Sequence, residues 1–220
     1  MQRTKISDRK LPDYTQDEEL YNTLTHMLGI ILGIAVTILC VGKALVAHHR
    51  AGILSATIYG VSMILLYTVS TVYHGWPRCR EKKILQVLDH CTIYCLIIGS
   101  FAPICLTGLR ETAPAAAYGM FGLICLICIV CVVFTAIDFQ KYGAVSMLGY
   151  LSPWLLLFLG KELQQSYPIA LLWWIVGGGA AYTIGAALYS TSKPYMHTVF
   201  HIFILLGSIL QFVGIFLYCI

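Results

Sequence analysis

Residues 195–219 read YMHTVFHIFILLGSILQFVGIFLYC, an unbroken stretch without Lys, Arg, Asp or Glu. A helix that crosses a bilayer needs ~20 consecutive apolar residues. Within lipid the backbone amides must pair inside the segment, so a run of this length is read as a spanning helix. Six further runs of the same character precede it, at roughly 22–47, 53–75, 86–108, 114–136, 142–160 and 169–190. The breaks between them are short and carry charge, Pro or Gly: His48-His49-Arg50, Trp76 to Lys83, Arg110 to Pro114, Asp138 to Lys141, Lys161 to Pro168, and Ser192 to Pro194. Alternating strands of ~10 residues, the mark of a membrane barrel, are absent from the pattern. The sequence therefore predicts an all-α integral membrane protein. Residues 1–21 form a polar N-terminal segment, and 22–220 a single seven-transmembrane-helix bundle.

Composition agrees. Of 220 residues 59% are hydrophobic and 11% charged, where a soluble domain carries about 25% charged residues. A soluble or disordered chain is excluded, and seven spans leave no room for a separate soluble catalytic domain. The formal net charge of +4 contains no basic run interleaved with aromatics, so nucleic acid is not an expected partner. Basic residues instead set orientation. With the N-terminus inside, Arg3, Lys5, Arg9, Lys10, Arg78, Arg80, Lys82, Lys83, Lys141 and Lys193 fall on the inner side, against Lys43, Arg50, Arg110 and Lys161 outside. The N-terminus is expected in the cytoplasm, the C-terminus outside, and the chain in the inner membrane. Met1 to Glu19 lacks the apolar core of a signal peptide. Nine Cys, mostly within apolar runs, suit reduced thiols. Cys125, Cys128 and Cys131 read as packing residues, and His48 and His49, beside Arg50, as solvated ones. Trp173 and Trp174 are expected at the outer interface. Gly29-x3-Gly33 and the Gly177-Gly178-Gly179…Gly185 region are expected to let helices approach closely.

Ionisable residues at membrane depth are costly and point to function. Glu19, Asn22 and His26 lie three and four residues apart, on one face at the start of the first helix. Ser70 and His74 end the second helix, Asp89 and His90 lie near the start of the third, and His197 and His201 lie one turn apart at the start of the last. The topology puts all of these on the cytoplasmic side. An H-x3-H pair offers two imidazoles to one metal, and a third His from another helix leaves the fourth tetrahedral position open to water. A carboxylate such as Asp89 has the chemistry of a general base toward that water. Ser70 has that of a donor to an oxyanion or of an outer partner. The face of Asp89 continues through Leu96 and Ser100, so Cys91 and Cys95 point elsewhere. For Glu19 and Asn22 plainer roles stand beside these: favourable charge at a helix N-terminus and capping.

Taken together, Glu19-x2-Asn22-x3-His26, Ser70-x3-His74, Asp89-His90 and His197-x3-His201 resemble the motif set of the hemolysin III family. That family is the bacterial branch of the progestin and adipoQ receptor (PAQR) group and is related to alkaline ceramidases. The resemblance runs from Glu19 to the end of the last helix, with no departure in the metal-binding set. It implies a Zn2+ ion near the inner face held by His74, His197 and His201, with Asp89 and Ser70 beside it as catalytic residues. Glu19, Asn22, His26 and His90 remain as outer-shell candidates.

Two functions follow as expectations. The first is a zinc-dependent hydrolase of lipid amide or ester bonds, with membrane lipids as substrate. The second is a non-catalytic, zinc-stabilised regulator or sensor of membrane lipid state and energetics. A transporter is less favoured, because the polar residues gather at one end and no paired broken helices appear. Cytolysis is not expected of a chain whose apolar faces are needed for packing. Nothing in the sequence predicts an oligomer.

Overall fold

The computed structural model describes residues 5–138, 141–150, 154–155, 159–191 and 193–220. The described chain is all helical: a 3-10 turn at Ile6–Asp8, then α1 (Gln16–Val46), α2 (Arg50–Gly75), α3 (Arg80–Leu106), α4 (Gly108–Thr112), α5 (Pro114–Asp138), α6 (Gly143–Tyr150), α7 (Gly160–Ser166), α8 (Ile169–Tyr189) and α9 (Met196–Tyr218). Among the described residues six helices, α1, α2, α3, α5, α8 and α9, are long and apolar enough to cross a membrane. They correspond to six of the seven predicted spans. In the remaining one, 142–160, α6 covers Gly143–Tyr150, while 151–153, with Pro153, and 156–158 lie outside the described residues.

Two helices begin six residues before their apolar runs. α1 starts at Gln16 because Thr15 caps it: the Thr15 hydroxyl accepts from Glu18 N at 3.2 Å while the Thr15 amide donates to Glu18 Oε2 at 2.9 Å. This reciprocal box satisfies amides that a helix start leaves open, and it removes the capping role considered for Asn22. α3 starts at Arg80, because Arg, Glu and Lys are good helix formers that hydropathy alone assigns to a loop.

The bundle turns its small and polar residues inward. On α1 the buried stripe is Glu18, Asn22, His26, Gly29, Gly33, Val36, Cys40 and Ala44. Leu28, Ile31 and Ile38 on the opposite face are exposed, as is Trp173 on α8. That inversion fits a chain whose outer solvent is hydrocarbon. Several buried polar groups pair with one another. Midway along α9, Ser208 Oγ meets the hydroxyls of Tyr67 at 2.7 Å and Tyr182 at 3.0 Å, and its carbonyl accepts from Tyr59 Oη at 3.3 Å.

Close approach rests on particular glycines. A Cβ on Gly29 would stand 2.3 Å from the Tyr67 ring, which seats α1 on α2 as expected. Between α8 and α9 the tight positions are Gly178, Gly185, Gly207 and Gly214, whereas Gly177 and Gly179 have room. The alternating path brings the starts of α1, α3 and α9 to the same end of the bundle as the end of α2. At the far end Lys43 Nζ donates to Phe216 O at 2.5 Å, joining the ends of α1 and α9. Cys91 and Cys95 are half-buried while Leu96 and Ser100 are buried, in keeping with the predicted faces of α3. All nine Cys are free thiols.

Gly207→Ala places a methyl 2.3 Å from the Tyr182 ring and is expected to destabilise the bundle by about 1–3 kcal/mol. Gly177→Ala, whose nearest neighbour would be Leu210 at 3.8 Å, is expected to be neutral or slightly stabilising. Thermal unfolding of both variants in detergent, followed by circular dichroism, checks the pair.

Candidate metal centre

His74 lies in the last turn of α2, and His197 and His201 lie in the first two turns of α9. All three are buried, at 2%, 8% and 1% exposure. Their rings meet edge to face, with centroids 4.9 Å apart for His74 and His197, 5.0 Å for His74 and His201, and 4.5 Å for His197 and His201. One ligand nitrogen from each falls within 4.8 Å of the other two. Modest side-chain adjustment closes such a triangle onto an ion with ~2.0–2.1 Å metal–nitrogen bonds.

The outer nitrogens are all engaged. His74 Nδ1 is 2.7 Å from Glu19 Oε2, His197 Nδ1 is 2.8 Å from Tyr14 Oη, and His201 Nδ1 is 3.2 Å from both Asn22 O and Thr25 Oγ1. A carboxylate and a carbonyl only accept, so His74 and His201 carry their proton on Nδ1 and leave Nε2 with its lone pair. Tyr14 suits the same tautomer of His197. Nε2 of His74 and of His197 is buried with no hydrogen-bond partner, and so is the Ser70 hydroxyl one turn before His74. Buried polar atoms are rarely left so. An imidazole bonded outward through Nδ1 and open inward at Nε2 is the form in which His binds metal. The residues therefore fit a metal on their own geometry.

The N-terminal segment closes this end of the bundle. The Tyr14 ring packs 5.1 Å from His197 and 6.1 Å from His74, centroid to centroid. Burial, with Tyr189, Tyr73 and Glu19 adding to it, pushes the Tyr14 phenol well above its ordinary pKa, so it meets His197 as a neutral hydroxyl. Asp13 pairs with Arg78 at 2.9 Å, Lys83 Nζ donates to Ser7 O at 2.6 Å, and Arg9 donates to the carbonyls of Ala136 and Ile137 at the end of α5. Glu18 reaches across to α9: its Oε1 accepts from Tyr195 N at 2.7 Å. Tyr195 precedes α9 with φ 60°, a left-handed conformation costing about 1–2 kcal/mol in a non-glycine residue, and the Glu18 carboxylate holds it there. That bond lies two residues before His197 and joins the start of α9 to α1.

The structure separates the sequence candidates. Glu19 and Asn22 touch the imidazoles, Glu19 through its carboxylate and Asn22 through its backbone oxygen. Asn22 also accepts from Thr198 Oγ1 at 2.6 Å. His26 is buried and stacks on His201 with centroids 3.5 Å apart, both its nitrogens without partners. Asp89 is buried on α3 but outside the three-imidazole group. His90 also lies outside it, with Nδ1 2.8 Å from Gln86 O in its own helix. Tyr14, Glu18 and Lys82 were not singled out by the sequence. Thr15-x2-Glu18 was a readable capping signature, and Lys82 stands two turns before Asp89 on the same face of α3. Tyr14 carried no signal.

A family model described as Haemolysin-III related matches residues 14–212. The chain belongs to the hemolysin III family. It is 31% identical over 209 residues to the Hemolysin-3 homolog of Bacillus subtilis (strain 168), covering 94% of this chain and 97% of that one. It is 30% identical to Hemolysin-3 of Bacillus cereus, covering 91% of each. It is also 27% identical over 221 residues to the human Monocyte to macrophage differentiation factor, covering 91% of this chain and 84% of that one, which supports the relation of this hemolysin III protein to the PAQR group. It is a multi-pass membrane protein.

Tyr14→Phe removes the outer partner of His197 while keeping the ring that covers it. Zinc affinity, measured by chelator competition, is expected to fall about 10-fold with helical content unchanged. Unaltered affinity would reduce Tyr14 to a cover.

Proposed function

We propose that this protein is a zinc-dependent hydrolase of lipid amide or ester bonds, built on seven spans in the inner membrane with its N-terminus in the cytoplasm and its C-terminus outside. The observation that carries the reading is the convergence of unpartnered groups: Nε2 of His74 and of His197, with the Ser70 hydroxyl one turn away, all buried at one end of a membrane bundle. His74, His197 and His201 would hold Zn2+, which would supply an activated water and a polarised carbonyl. The chain supplies the rest. Asp89 takes a proton from the attacking water and returns it to the leaving group. Ser70 Oγ donates to the developing oxyanion. The imidazoles hold their orientation through Glu19, Tyr14 and Asn22. The N-terminal segment lies over the polar end, so a lipid enters from the side, through the bilayer.

Purified protein is expected to release fatty acid from a ceramide-like amide. Asp89→Asn is expected to abolish release while retaining its zinc. Equal turnover in Asp89→Asn would remove that residue from the reaction.

A second reading, a zinc-stabilised regulator without turnover, is favoured by one observation. The three imidazoles and their outer partners tie α1, α2 and α9 together, as a structural site would. In that case His74→Ala unfolds the bundle rather than merely silencing it.

A further inference from the structure

Lys82 is an ammonium buried where the membrane-facing bundle begins, at 2% exposure. A buried charge persists only when it is paired and hydrogen-bonded, and Lys82 is fully engaged. Its Nζ has three protons to donate and meets three acceptors: Trp76 O at 2.8 Å, His74 O at 3.1 Å and Glu19 Oε1 at 2.8 Å. The two carbonyls belong to the end of α2, where a helix leaves its last oxygens unpaired and favours a cation. Those two bonds alone would make Lys82 a staple between α3 and α2.

The third bond gives it a different role. Glu19 is the carboxylate whose other oxygen, Oε2, accepts from His74 Nδ1. Lys82 thus holds one histidine at two points, directly at its backbone carbonyl and, through the Glu19 carboxylate, at its ring. The geometry points to Lys82 as a positioning residue for the metal ligand His74, acting through Glu19. This rests on the metal reading given above. The Glu19 side chain is 19% exposed, so it has water to turn to when its counter-charge is removed. A carboxylate that turns away releases His74 Nδ1, and with it both the tautomer and the ring orientation that present Nε2 inward. Lys82 prevents this by holding Oε1 while His74 holds Oε2. The basic residue that topology counts as one of the inner-side positive charges is therefore part of the site.

The test is zinc affinity of the purified full-length chain in detergent, by chelator competition, for wild type, Lys82→Met, Lys82→Arg, Glu19→Gln and the double variant Glu19→Gln/Lys82→Met. Lys82→Met is expected to weaken zinc about 10–100-fold, and Lys82→Arg, which keeps the charge and the donors, to recover most of the loss. Glu19→Gln is expected to match Lys82→Met, and the double variant to bind no more weakly than Glu19→Gln alone, because both act along one chain of contacts. Lys82→Gln, which keeps a donor without the charge, stands in should Lys82→Met not fold. Wild-type affinity in Lys82→Met, or a Lys82 effect that adds in full to that of Glu19→Gln, would overturn the proposal and leave Lys82 a helix staple. A wild-type chain that binds no zinc would overturn the metal reading itself and this inference with it.

Discussion

A chain that hides an imidazole, a carboxylate and an ammonium in the end of an apolar bundle must make them satisfy one another, and here they do so through the Glu19 carboxylate. Its two oxygens divide between Lys82 and His74, at 2.8 and 2.7 Å. Each group alone would be costly to bury; joined, they fix the positions of three helices that approach from different directions. α1 supplies Glu19, α2 supplies His74 and α3 supplies Lys82. The neighbouring glutamate does the same for the fourth helix: Glu18 caps α1 with one oxygen and holds the start of α9 with the other. Two consecutive acidic residues, pointing to different neighbours, thereby link α1 to α2, α3 and α9, the helices around the candidate metal centre.

The same rule of internal pairing extends down the bundle. Ser208 gathers three tyrosine hydroxyls at mid-depth, and Lys43 and Phe216 close the opposite end. Against that background the unpartnered atoms stand apart. Among the described residues, Nε2 of His74 and of His197, Ser70 Oγ and both nitrogens of His26 are buried without partners near one end, and so, elsewhere, is Gln211 Oε1 on α9. Of these, Nε2 of His74 and of His197 belong to the group of three imidazoles whose geometry could hold a metal ion.

Much of this was legible from residue order. Apolar runs mark the helices because hydrocarbon tolerates little else, and the one-turn spacing of His197 and His201 puts both on one face whatever else the bundle does. Gly29 was readable as a contact for the same reason. What hydropathy could not show were the helix starts in water, where α1 gains six residues and α3 gains six over their apolar runs, because capping and helix propensity decide those boundaries. Lys82 was read as a topological charge because its spacing to His74 crosses a turn, and no periodicity links residues on separate helices. Tyr14 was set aside with a polar segment for the same reason: only the folded path lays residue 14 against residue 197. Asp89 and His90, expected beside the metal ligands and not among them, are not members of the three-imidazole group.

The central claim is that three buried imidazoles form one metal site, and metal content tests it most directly. Elemental analysis of the purified chain beside His197→Ala, with both shown to be folded by circular dichroism, is predicted to find about one zinc per chain in the first and background in the second. A wild-type chain without stoichiometric metal, or a folded His197→Ala that keeps its zinc, would contradict the account.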